Sequence, residues 1–253
     1  MRLGAVTYNV LRGWDLETVI TKLEEANFEA VELRTGTGHG VEPEIGPDER
    51  KRVKERFAKS KVKLWGLGSA CEFHSPDATE RARQVEVAKQ FVDLARDVGA
   101  AGVKVRPNGL PEDVPVETTV ERIAECLREI GYYAKERGIE IWLEVHGRGS
   151  QEPTVIEQIM KATGHPSVGV CWNSNPPDVI DGSVRTNFDR LKPWIKSVHI
   201  NELANDYPWR ELFTLLRESG YDRFTLMEAQ ESPQPERFMR YYRALWTELN
   251  RGS

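Results

Sequence analysis

The sequence is poor in cysteine and in basic excess, and it lacks any long apolar run. Cys71, Cys126 and Cys171 are its only cysteines, and no two of them have the CxxC spacing. An odd count without that spacing fits a reducing compartment and packing roles, not a disulfide framework or a thiolate metal site. No stretch approaches the roughly 20 consecutive apolar residues that span a bilayer, so membrane insertion is not expected. The first ten residues, MRLGAVTYNV, read as a strand and not as a signal peptide. Cytoplasm is therefore the expected location. Lys and Arg number 35 against 40 Asp and Glu, for a net charge of −5. That balance argues against a nucleic-acid partner, which calls for a basic surface. There is no GxGxxG or GxxxxGK[ST] after the first apolar run. The Gly-rich "GTGHG" at Gly36–Gly40 fits neither spacing.

What is present is alternation. Strand-like runs occur at Leu3–Tyr8, Ala30–Arg34, Val62–Ser69, Val103–Arg106, Ile139–Val145, Val168–Trp172, Ile195–Ile200 and Phe224–Glu228. Helix-like runs follow at Leu16–Ala26, Asp48–Lys59, Thr79–Val98, Val116–Arg137, Thr154–Ala162, Val184–Leu191, Trp209–Ser219 and Pro235–Leu249. Gly99, Gly138, Gly164 and Gly220 sit where helices should stop. Eight strand–helix units in 253 residues are what a single (β/α)8 TIM barrel needs. An open doubly wound sheet is the alternative, but it usually carries the phosphate-cradling motifs missing here. No linker or composition shift divides the chain, so one domain is expected over residues 1–253.

Side chains alternate faces along a strand, so residues two apart share a face. In "IEIWLEVH", Ile139, Ile141, Leu143 and Val145 suit the helix-facing side, which turns Glu140, Trp142, Glu144 and His146 toward the barrel axis. The same parity turns Glu32 and Arg34, Lys104 and Arg106, Asn173, His199 and Asn201, and Glu228 inward. A barrel interior is normally filled by branched apolar residues, and a buried polar group is costly unless it pairs or binds something. A polar mouth therefore points to a site at the C-terminal ends of the strands. Four of the five histidines, His39, His74, His146 and His199, also fall at or just after strand ends.

Glu144, Asn173, His199 and Glu228 end the fifth to eighth strands. Strands in a closed sheet are about 4.8 Å apart, so these side chains can converge. Two carboxylates, an imidazole and an amide oxygen suit a divalent metal such as Mg²⁺, Mn²⁺ or Zn²⁺. The bland alternatives are ion pairs of Glu144 and Glu228 with Lys104 and Arg106, a core role for His199, and loop capping by Asn173. Trp142 reads more readily as core than as a sugar platform.

At these residues the sequence resembles the xylose isomerase-like TIM-barrel superfamily, and within it the sugar phosphate isomerase/epimerase branch. The matching pieces are "LEVHG", "VCWNSN", "SVHINEL" and "TLMEAQ", all in the second half of the chain. The resemblance implies a metal held by Glu, Asp, His and Glu, at positions that here read Glu144, Asn173, His199 and Glu228. Asn173 departs from the family's Asp, and a neutral amide is a weaker ligand than a carboxylate. Pro176 stands where ketose epimerases of the family carry a His.

The activity so implied is isomerisation or epimerisation of a sugar, keto sugar or sugar phosphate. It would proceed by proton abstraction next to a carbonyl through an enediolate, with Glu144 and Glu228 exchanging protons and Mn, Mg, Co or Zn as the cofactor. Arg34, His39, Lys104, Arg106, His146, Arg148 and Trp14 are the candidates for substrate binding. The partner implied is a small-molecule sugar, with self-association left open. Competing readings are a cyclitol or keto-sugar dehydratase, a sugar-binding barrel with degraded catalysis, and an endonuclease of the endonuclease IV type. The last needs more histidines and a basic surface.

Overall fold

A computed structural model describes residues 1–251. Eight strands close into one barrel: β1 (Arg2–Val6), β2 (Ala30–Arg34), β3 (Lys63–Glu72), β4 (Gly102–Arg106), β5 (Glu140–Glu144), β6 (Val168–Trp172), β7 (Ile195–Ile200) and β8 (Phe224–Met227). Every neighbouring pair is parallel, and β1 pairs with β8, which excludes the open sheet. The helices are α1 (Leu16–Glu25), α2 (Pro47–Ala58), α3 (Ala78–Val98), α4 (Val116–Glu136), α5 (Pro153–Thr163), α6 (Arg185–Leu191), α7 (Trp209–Glu218) and α8 (Pro235–Asn250). Among the described residues, no helix is long and apolar enough to cross a membrane.

Local chemistry fixes these boundaries. The Asp15 side chain accepts from the Thr18 amide to start α1, and Asp77 does the same for Thr79 at α3. Helix α3 stops at Gly99, whose φ of 83° is the left-handed conformation that other residues adopt at a cost. Strand β3 runs on to Glu72, beyond the Ser69 expected from its apolar pattern. Its register with β4 shifts between Gly68 and Glu72, where Ser69 Oγ donates to the Lys104 carbonyl at 2.7 Å. A side-chain bond there takes over from the ladder, so apolar pattern alone does not mark the strand's end.

The strand parity read from the sequence holds. Val31, Leu33, Val103, Val105, Ile141 and Leu143 join the large apolar core between sheet and helices. Inside the barrel, Trp65 stacks on Trp142 with ring centroids 5.1 Å apart, and Phe224 tilts against Trp65 at the same distance. Trp142 fits because Gly66 and Gly102 flank it. A Cβ at either would lie 2.5 or 2.4 Å from its indole. This aromatic layer forms the floor on which the polar mouth rests, and it gives Trp142 a packing role.

Candidate metal centre at the barrel mouth

Above that floor, β5, β7 and β8 deliver Glu144, His199 and Glu228 to one point. One ligand atom from each lies within 4.8 Å of the other two. His199 Nδ1 is 3.2 Å from Glu228 Oε2 and 3.6 Å from Glu144 Oε1. The opposite ring nitrogen, Nε2, is 3.2 Å from Oε2 of Glu32, which is fully buried on β2. Asn173, just past β6, lines the same cavity of about 340 Å³ with Glu144 and Glu228.

Lys104 enters from β4 and donates to Glu144 Oε2 at 2.7 Å, with both side chains almost inaccessible to solvent. Burial pushes the Glu144 carboxyl up. The Lys104 ammonium, and then His199, pull it down further, so Glu144 is held well below the usual carboxylate range. Burial likewise opposes charge on Lys104, but Glu144, Glu32 and Glu228 hold the ammonium protonated and raise its pKa. His199 follows the same logic: burial opposes its charge, yet Cys171, Glu32 and Glu228 raise its basicity well above the ordinary value. Burial keeps the Cys171 thiol neutral, so the two carboxylates are the physical source of the effect on His199.

This arrangement fits a divalent cation. Three carboxylates, Glu32, Glu144 and Glu228, face one lysine. Two of them point oxygens at the imidazole nitrogen that Glu32 does not engage. Carboxylates converging on one ring nitrogen in a buried site need positive charge there, which a proton on His199 supplies without metal and a cation would supply in its place. Glu144 Oε1, His199 Nδ1 and Glu228 Oε2 would hold it, with the Asn173 amide at the cavity wall as a further donor. A mixed N/O set without thiolates suits Mn²⁺, Mg²⁺, Co²⁺ or Zn²⁺.

Of the residues expected to bind substrate, Arg34, Lys104, Arg106 and His146 line this cavity. His39, Arg148 and Trp14 do not. Both His39 nitrogens are occupied by backbone, Nε2 with the Arg34 carbonyl and Nδ1 with the Val41 amide, each at 2.9 Å. His39 therefore braces its loop. The Arg148 side chain is 93% exposed and pairs with Glu112, and Trp14 packs onto the outer apolar core.

The bland reading is half realised. Glu144 does pair with Lys104, but Arg106 pairs with Glu72 at 2.5 Å, and Glu228 faces His199. Glu32, which parity turned inward, is the member of the cluster that the sequence did not single out. Gln151, Asn175 and Gln230 also line the cavity. They lie on loops, where no periodicity signals a direction.

Residues 20–245 match the family described as xylose isomerase-like TIM barrel. Among solved structures, the chain is similar to D-psicose 3-epimerase from Clostridium cellulolyticum H10, crystallised with D-tagatose, with a TM-score of 0.85, 14% identity and 100% of each chain covered. It is also similar to 3-keto-D-glucoside 4-epimerase from E. coli, with a TM-score of 0.83, 12% identity, and 98% of this chain and 99% of that one covered. A third relative is an IolI protein with a bound zinc atom, with a TM-score of 0.79, 16% identity, and coverage of 98% and 96%. At these identities the structural likenesses establish the shared fold. The sequence match over most of the chain establishes more: this protein belongs to the xylose isomerase-like TIM-barrel family.

Proposed function

We propose that this protein is a divalent-metal-dependent isomerase or epimerase of a sugar, keto sugar or sugar phosphate. The observation that carries the reading is the convergence of Glu144, His199 and Glu228 beneath an open polar cavity. The epimerases among its structural relatives act on sugars, and the IolI relative has a bound zinc atom. Both facts agree with this choice.

A bound divalent ion supplies Lewis acidity, polarising a carbonyl and offsetting the negative charge that develops when the neighbouring proton leaves. The protein's own groups do the rest. Glu144 and Glu228 reach the cavity from β5 and the end of β8, so a sugar lying between them offers a proton to either. Lys104 keeps Glu144 ionised and anchors its Oε2, which limits the motion of that carboxylate. Glu228, 19% exposed at its side chain, is the more open of the two. Removal of a proton by one and return by the other inverts a carbon, and return to the adjacent carbon shifts the carbonyl. Arg34, Arg106 and His146 offer donors for substrate oxygens or a phosphate.

The test is incubation of the protein with keto sugars and sugar phosphates in D2O with each candidate metal, followed by NMR. Solvent deuterium entering a single carbon is the expected result. Conversion of the substrate to a product lighter by one water would assign a dehydratase. No exchange with any sugar, and no metal taken up, would leave a sugar-binding barrel, the reading that Asn173 favours.

A further inference from the structure

Glu32 takes no part in the chemistry above, yet it is the most deeply buried carboxylate of the cluster. Its side chain is wholly inaccessible; Oε2 lies 3.2 Å from His199 Nε2, and Oε1 has no hydrogen-bond partner. Leaving a buried acceptor unmet costs about 1–3 kcal/mol, and more when the group is charged. The neighbouring strand makes room for it. A Cβ at Gly68 on β3 would lie 2.7 Å from Glu32 Oε1. A carboxylate placed only for stability looks different. Glu140, at the other end of the barrel, meets Arg223 and Trp142 through Oε2, and Lys196 and Arg223 through Oε1.

We propose that Glu32 is a positioning residue that sets the orientation and tautomer of His199. A neutral imidazole donates from one nitrogen and accepts at the other. With a cation between Glu144 and Glu228, Nδ1 must turn its lone pair to it, which leaves Nε2–H to donate to the Glu32 oxygen 3.2 Å away. The carboxylate behind the ring also strengthens the ring as a ligand. This inference rests on the metal reading of the site. It assigns the cation's nitrogen ligand to Nδ1 and gives the orphaned oxygen a reason: Glu32 is held by what it does for His199.

The test is titration of the metal-free protein with zinc against a competing chelator, in wild type, Glu32→Gln and Gly68→Ala. Glu32→Gln should bind zinc about 10–100-fold more weakly. Gly68→Ala keeps every ionisable group but displaces the Glu32 carboxylate, and should shift affinity in the same direction. Nitrogen NMR of the zinc-loaded wild type should show His199 protonated at Nε2. The metal-free Glu32→Gln protein should melt no lower than wild type, since it loses a buried charge with an unmet oxygen. A purely structural role predicts the reverse pattern: a lower metal-free melting point and unchanged zinc affinity. Equal affinity in Glu32→Gln, or zinc on Nε2, overturns the role of Glu32 while the metal centre stands. A wild type that takes up no zinc overturns both.

Discussion

The two ends of the barrel bury charge in opposite ways. At the N-terminal end, Glu140 stands alone against Lys196 and Arg223, with the Trp142 indole as a further donor. Every oxygen is met, and cations outnumber the carboxylate. At the C-terminal end, Glu32, Glu144 and Glu228 face Lys104 and a histidine, and one oxygen goes unmet. The first arrangement is complete as it stands; the second is short of positive charge. The contrast teaches that burial and ion pairing do not by themselves distinguish a structural cluster from a functional one, whereas the local charge balance does.

The contrast breaks most sharply at the mouth. Replacing Glu144 or Glu228 by Gln should lower kcat by about 10²–10⁴-fold, the range for a lost general acid or base. Steady-state kinetics on the substrate found by deuterium exchange would measure it. If both variants turned over like wild type, proton exchange between two carboxylates would be wrong.

Next in size is Lys104→Met, which strips the only ammonium that contacts Glu144. Breaking one side of a buried pair costs about 3–5 kcal/mol, which for a chain of this size lowers the melting point by roughly 10 °C. Added Mn²⁺ should then raise the melting point more in the variant than in wild type, because the ion and the lysine offset the same negative charge. Equal increments in calorimetry would separate the lysine from the metal centre.

Asp178 supplies the missing control, a buried carboxyl with no cation beside it. Burial pushes it up to about 7, although the Asn175 amide and the Tyr207 hydroxyl donate to it. Glu144, equally buried but paired, moves the other way. For Asp178 the folded state keeps a proton that the unfolded chain has released. Its contribution to stability is therefore largest at low pH and is lost as pH rises toward 7. Asp178→Asn removes that dependence. The stability gap between the variant and wild type should change by up to about 4 kcal/mol between pH 4 and 8, in favour of the variant at the higher pH. Parallel denaturation curves at both pH values would refute the assignment.

The smallest effect belongs to the complete end. Glu140→Gln should cost up to about 1 kcal/mol in urea denaturation, since its partners remain partly solvated. It should leave turnover unchanged. A loss of activity there would mean that the two ends are coupled through the aromatic floor.

Period and punctuation made the barrel legible, because each strand shows one apolar face to the helices and α3, α4, α5 and α7 stop at, or one residue before, a glycine. Parity also exposed Glu144, His199 and Glu228, since an inward charge at a strand end stands out against branched apolar neighbours. Less was legible on the loops. His39 has the composition of a ligand, but its loop turns both ring nitrogens onto backbone. Arg148 and Trp14 also lie on loops and away from the cavity lining, and nothing periodic sets where a loop side chain points. Glu32 was visible as an inward residue but not as a partner, because 167 positions separate it from His199 and only closure of the barrel brings them together.

The sequence by itself determined the alternation of elements, and with it a closed parallel sheet whose polar residues gather at one rim. Those follow from side-chain periodicity, which is local. Only the tertiary structure decided which charges meet: that Lys104 takes Glu144, that Arg106 goes to Glu72, and that Glu32 backs His199. Pairing depends on through-space distances of a few ångströms between strands far apart in the chain, and no local pattern encodes them.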